Sequence, residues 1–136
     1  MLGDAKSLSS TKAHVTAVIP VEDRGRHELL RLAAALGTYL QPDMAEALAT
    51  AARSEHIAPA HAWRPLWCDA EHGVVARVEG RQLALGTYSY LVQRGVVPKL
   101  AELHAARHVE ARGGTALYLA VLEEGRCLGI VGIESR

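Results

Sequence analysis

The chain has 136 residues, enough for one domain and too few for two ordinary ones. Hydrophobic residues make up 49% and charged residues 22%, a globular composition that excludes an extended disordered chain. Fifteen basic residues balance fifteen acidic ones. No global field would gather nucleic acid or an anionic membrane, so neither is expected as a partner, although a local patch is compatible with this balance.

Residues 1–12 are small and polar and read as a flexible lead-in, leaving 13–136 as a single α/β domain. No apolar stretch approaches the roughly 20 residues that span a bilayer, and the N-terminus has no clear signal-peptide pattern. Two cysteines, Cys68 and Cys127, are too few for a disulfide framework. Reduced, structural thiols in a cytoplasmic setting are expected.

His14 to Val21 alternates and is rich in β-branched residues, which predicts a strand. Glu22 to Arg26 forms a charged turn. From His27, apolar residues at Leu29, Leu30, Leu32, Ala33, Leu36 and Leu40 have helical spacing. Gly37 lies near the end of that helix. Pro42 and Asp43 suit the first turn of a second helix, which carries Met44, Ala47, Leu48 and Ala51 and stops near Glu55. His56 to Ala62 is a connector, and Arg64 to Cys68 a short strand.

Next come an apolar run to Gly73, a strand from Val74 to Val78, a turn at Glu79-Gly80-Arg81, and a strand from Gln82 to Leu85 that ends at Gly86. Thr87 is placed to cap a short helix over Tyr88 to Gln93. Pro98 opens another helix, Lys99 to Arg112, with Leu100, Leu103, Ala106 and Val109 inward. Gly113-Gly114 breaks it. Thr115 to Leu122 and Cys127 to Ile133 are two strands joined by a turn at Glu123 to Arg126.

The order β, αα, βββ, α, α, ββ lacks the repeating strand–helix–strand unit of a doubly wound fold. It predicts an α+β architecture, with one antiparallel sheet of about six strands flanked by helical hairpins.

Several residues invite a chemical reading. Trp63 and Trp67 are four apart beside a proline. A packing anchor is expected there, since a base-stacking platform would interleave aromatics with basic residues. His104 and His108 share a helix face at i, i+4, a spacing that can hold zinc. HAARH lacks the Glu of an HExxH arrangement and no third ligand is evident, so an exposed polar face without metal is expected. Glu102 and Glu110 read as solvated, with Arg107 and Arg112 nearby. No Walker A sequence and no catalytic triad spacing stand out.

The order of elements and several phrases resemble the nucleotide-binding (N) domain of heavy-metal P-type ATPases. LLRLAAAL (residues 29–36) resembles the family's helix before its SEHP motif, and MAEALATAA (44–52) the helix after it. HGVVARVEGRQLALGT (72–87) resembles the second glycine of the family's Gly-x-Gly motif, its hairpin and its Gly-Asn step. GGTALYLAVLEEGRCLGIVGIESR (113–136) resembles the return hairpin. Together these cover about residues 14–134.

The departures from that pattern are specific. Laid without gaps, SEHP falls on Leu40, Gln41, Pro42 and Asp43, and the acidic residue three places earlier falls on Gly37. A one-residue shift aligns the prolines and puts Gln41 at the histidine position. Gly-x-Gly falls on Glu71, His72 and Gly73, and Gly-Asn on Gly86 and Thr87. The closing acidic position becomes Glu134. Ser54-Glu55-His56 spells SEH but lies at the end of the second helix, where a solvated terminus is the better reading. The family's DKTGT phosphorylation signature is absent, with DAKSLSS at residues 4–10 lacking the pattern.

The resemblance implies a domain that holds ATP and positions it for phosphorylation of an aspartate on a separate phosphorylation domain. It implies no metal in this domain and no catalysis by the chain alone. Gln41, Gly73 and Gly86 are the carried-over contacts. Glu71 adds bulk and negative charge where a glycine belongs, so weak ATP binding is expected. The alternative is a degenerate N-domain that has lost the nucleotide and serves as a regulatory or protein-interaction module.

Overall fold

In the computed structural model the described residues are 12–21 and 25–135. The lead-in at 1–11, including DAKSLSS, and the first part of the turn at 22–26 lie outside them.

Among the described residues, six strands form one antiparallel sheet, as the sequence predicts, and their order is β1-β6-β5-β4-β3-β2. They are β1 (Ala13–Pro20), β2 (Trp67–Asp69), β3 (Gly73–Val78), β4 (Arg81–Gly86), β5 (Thr115–Val121) and β6 (Arg126–Ser135). Four helices join them: α1 (Arg26–Gly37), α2 (Pro42–Ser54), α3 (Tyr88–Gln93) and α4 (Leu100–Ala111). β1 and β2 are the two edges.

The tight β3–β4 hairpin turns on Glu79 and Gly80, both at positive φ (53° and 83°). That is the left-handed geometry whose twist matches a two-residue hairpin.

Period-two alternation divides the sheet residues between two cores. Val74, Ala76, Val78, Leu83, Leu85, Leu117 and Leu119 face α1 and α2. Val75, Ala84, Ala116, Tyr118, Ala120 and Ile130 face α3 and α4. α1 and α2 pack closely because Gly37 faces Leu48: a Cβ at Gly37 would lie 2.4 Å from the Leu48 Cδ1.

Four expectations need correction. The strand expected over Arg64 to Cys68 is only Trp67–Asp69. Pro65 has no N–H to give to the ladder, and only the Leu66 N–H reaches the Val75 carbonyl, at 2.7 Å. Leu100, expected inward, is 82% exposed, because it opens the helix at the first position after Lys99, where the chain has only just turned toward the sheet. Glu102 is buried rather than solvated. It accepts the Lys99 N–H at 2.8 Å and closes the N-terminus of its own helix. Trp63 and Trp67 are 64% and 56% exposed and anchor nothing inside.

Candidate functional site

One end of the sheet gathers Gln41, Gly73 and Gly86, the contacts carried over from the resemblance, together with Glu71. Gly73 and Gly86 stand opposite each other at the end of the β3–β4 ladder. The reverse turn from β2 to β3 runs through Asp69, Ala70, Glu71 and His72. Its Ala70 carbonyl accepts the Gln41 N–H at 2.9 Å. Gln41 is the residue before α2, so the α1–α2 turn and the β2–β3 turn are tied together at this point. The Cys68 thiol adds a second tie, donating to the Tyr39 carbonyl at 3.2 Å.

Local hydrogen bonds fix the turn. His72 Nδ1 lies 2.8 Å from Asp69 Oδ2, and the Glu71 N–H reaches Asp69 Oδ1 at 3.2 Å. The His72 contact, with these N–H groups, holds the Asp69 carboxyl below the usual range. Glu71 makes no use of its own carboxylate in stabilising the turn and is exposed.

Tyr90 crowds both glycines, and the His72 carbonyl crowds Gly86 more closely still. A Cβ at Gly73 would meet the Tyr90 ring at 2.3 Å, and one at Gly86 would meet it at 2.8 Å and the His72 carbonyl at 2.6 Å. The close backbone approach that glycine permits is therefore taken up by a tyrosine on α3.

That tyrosine is not fully served. Its ring lies under the Arg94 guanidinium, 4.1 Å from carbon to centroid, and its buried hydroxyl has Arg94 close by but no partner at full hydrogen-bond geometry. Burial raises its pKa, opposed by the Arg94 charge. Thr87 shows the same deficit. Its N–H bonds the His72 carbonyl at 2.8 Å, yet its hydroxyl is buried and unpartnered. The predicted side-chain cap on α3 does not form. Two orphaned hydroxyls beside one glycine pair are a costly arrangement in a closed interior. No sequence pattern marks them, because orphaning depends on what the rest of the fold withholds.

Other positions read from the sequence fall elsewhere. Glu134, at the family's closing acidic position, is buried in the outer pair β1–β6, where it accepts the Thr16 hydroxyl at 2.9 Å and forms an ion pair with Arg112 at 3.2 Å. Ser54-Glu55-His56 is an exposed helix end, with Glu55 paired to Arg26. His104 and His108 are exposed, their rings 5.1 Å apart. Among the described residues, no group of three or more His, Cys, Asp and Glu could hold a metal, and no helix is long and apolar enough to cross a membrane.

Three cavities, of about 530, 650 and 240 Å³, are lined by other residues, around the outer ends of α1 and α2 and along β1. None of the three includes Gln41, Glu71, Gly73 or Gly86.

No protein-family model matches the chain, and no curated protein matches it in sequence. Solved structures do match. A zinc-transporting PIB-type ATPase superposes with a TM-score of 0.77 at 23% identity, over 96% of this chain and 20% of that one. The N-domain of HMA8, a copper-transporting P-type ATPase, gives 0.70 at 20% identity over 87% and 97% of the two chains. The N-domain of HMA6, also a copper-transporting P-type ATPase, gives 0.68 at 23% over 93% and 100%. The chain thus spans a fifth of the zinc-transporting ATPase and the whole, or nearly so, of each separate N-domain. Its architecture is the N-domain fold of the copper- and zinc-transporting P-type ATPases.

Proposed function

We propose that this domain holds ATP at the Gly73–Gly86 end of the sheet and presents it to a phosphorylation domain. The observation that carries the reading is the pair of orphaned hydroxyls, Thr87 Oγ1 and Tyr90 OH, beside two glycines on the fold that the N-domains share. A polyanion brought to this end would supply acceptors that the protein withholds, and Arg94 stands over the same ring. Gln41 and Glu71 border the surface through the Ala70 tie. The outer ends of β1 and β6, Ala13 and Ser135, pair with each other at this same end of the sheet. A neighbouring domain reached through them would lie on the side of the nucleotide.

ATP, when bound, supplies the phosphoryl group. The residues here position it and contribute no bond-breaking group. Glu71 repels a triphosphate, and Gln41 offers hydrogen bonds without the stacking of an imidazole, so affinity is weak. The setting is cytoplasmic, and the domain itself carries no metal.

Titration with ATP, followed by backbone amide NMR, tests the reading. Shifts are expected at Gln41, Glu71, Gly73, Gly86 and Thr87, and a spectrum unchanged at millimolar ATP overturns it.

A second reading has its own support. Gly37 sits where the family has an acidic residue, and Leu48 fills the space a side chain there would need. With Glu71 at the first motif glycine, this favours a degenerate N-domain serving as an interaction module. A melting temperature unmoved by ATP supports it, because a ligand that ignores the native state cannot stabilise it.

A further inference from the structure

The arginines of the fold are provided for unequally. Arg26, Arg31, Arg112 and Arg126 each have a carboxylate within ion-pair distance. Arg81 lies among Glu28, Glu79 and Glu123, whose carboxyls its charge helps to hold low. The remaining described arginines are exposed, with the exception of Arg94. Arg94 is half-buried, and among the described residues no carboxylate pairs with it.

Its position follows from α3. Arg94 closes that helix four residues after Tyr90, so the two share one face. Tyr90 is 4% exposed, and its ring packs against both Gly73 and Gly86. The Arg94 guanidinium covers the same ring at 4.1 Å. It therefore stands one ring away from the paired glycine backbones.

A guanidinium cannot lose its charge, and lying on an aromatic face leaves the N–H donors at its edge free. The ring offsets part of the solvation that the cation gives up. The Tyr90 hydroxyl is close but offers no full hydrogen bond. The carboxylates of this end lie on the β2–β3 turn. Asp69 is taken by His72 at 2.8 Å, and Glu71 is exposed. The fold thus holds a fixed, half-buried fork of donors beside the glycines and supplies no anion to fill it.

We infer that Arg94 grips the phosphate chain of a nucleotide bound at the Gly73–Gly86 end, donating from the Tyr90 ring to phosphate oxygens. The inference rests on the reading of that end as a nucleotide site. It adds a binding cation that the resemblance does not supply and that offsets the negative charge of Glu71. Planar N–H forks suit phosphate oxygens, and such charge-assisted bonds are the strong ones.

The test follows the Arg94 side-chain Nε–H resonance and the backbone amides of the whole chain by NMR. The ligands are ATP, inorganic tripolyphosphate and adenosine, and the proteins are the parent, Arg94→Ala and Arg94→Lys. In the parent, ATP should move the Arg94 Nε–H strongly, tripolyphosphate should move it with lower affinity, and adenosine should leave it in place. Arg94→Ala should weaken ATP binding about ten-fold or more and leave adenosine binding unchanged. Arg94→Lys keeps the charge without the planar fork and should recover part of the loss. A purely structural Arg94 would not separate ATP from adenosine in this way.

An ATP affinity unchanged in Arg94→Ala overturns the inference, as does an equal loss for ATP and adenosine. Tripolyphosphate bound as tightly as ATP would make this a site for free polyphosphate, and the inference would fall. Should Arg94→Ala not fold, the parent decides. ATP shifts at the Gly73 and Gly86 amides with a still Arg94 Nε–H would overturn this inference and leave the nucleotide site standing. A parent that does not respond to ATP at all removes the site and this inference together.

Discussion

On one side of the sheet, α1 and α2 seal a layer of Leu and Val with hardly a polar atom inside. On the other side, a six-residue helix and a twelve-residue helix cover part of the surface. That second side leaves two hydroxyls without partners and two tryptophans in solvent. Both are built from the same six strands, alternate residues pointing each way. Both sides hold a buried cluster, the larger on the sealed side, and the other leaves polar and aromatic groups unmatched.

The sealed side should break hardest. Leu30→Ala, at a fully buried position on α1, should cost about 2–5 kcal/mol, read by chemical denaturation. A loss under about 1 kcal/mol would mean that this layer is not the one holding the fold.

On the other side, Gly73→Ala forces a methyl against the Tyr90 ring. A cost of about 1–3 kcal/mol is expected. Most of it should vanish in a Tyr90→Ala background, since the two residues share one contact. An unchanged cost in the double variant would place the strain elsewhere.

Tyr90→Phe removes a hydroxyl that has Arg94 nearby but no well-formed hydrogen bond. Its effect on stability should lie within about 1 kcal/mol of zero or be slightly favourable. Any amide shifts induced by ATP should shrink at the same time. A large loss of stability would show that the hydroxyl is bonded in solution.

Acid should act mostly at exposed carboxylates outside both cores. Arg31 holds Glu28 and Glu79 in a bridge between α1 and the hairpin turn, and lowers both pKa values. His72 lowers that of Asp69, and the Gln82 N–H that of Glu123. A lowered folded-state pKa stabilises above the unfolded value and is lost as pH falls through the folded one. The melting temperature should therefore be level near neutrality and decline modestly below about pH 4. A decline that begins near pH 6 would implicate histidine instead.

The smallest effect concerns the thiols. Cys127 is buried and its thiol is pushed up to about 12 by burial and by Glu102, whereas Cys68 is exposed. A thiol reagent should label Cys68 in the native protein and Cys127 only after unfolding. Equal labelling of both would mean that β6 opens readily.

The elements were largely legible in the sequence because each rests on local chemistry. Leucines at helical spacing gave α1, Pro42 and Asp43 opened α2, and β-branched alternation with Glu79-Gly80 gave the β3–β4 hairpin. The departures were places where one residue has two possible surroundings. Leu100 fits the helical stripe but sits at its exposed start. Glu102 looks like any surface acid until the Lys99 N–H claims it. Trp63 and Trp67 look like core residues, and whether a helix covers them depends on how far α3 and α4 reach across the sheet.

The candidate site divides the same way. Its glycines could be singled out from the sequence, together with Gln41 and Glu71. That Gln41 and Glu71 are joined through Ala70, and that Tyr90 occupies the space above both glycines, depends on contacts between residues far apart in the chain. Local periodicity and turn chemistry thus determined which elements form and how neighbouring strands pair. Only the tertiary structure decided which hydroxyls are left without partners and which face stays open, because burial and hydrogen-bond supply belong to the packed assembly and not to any one segment.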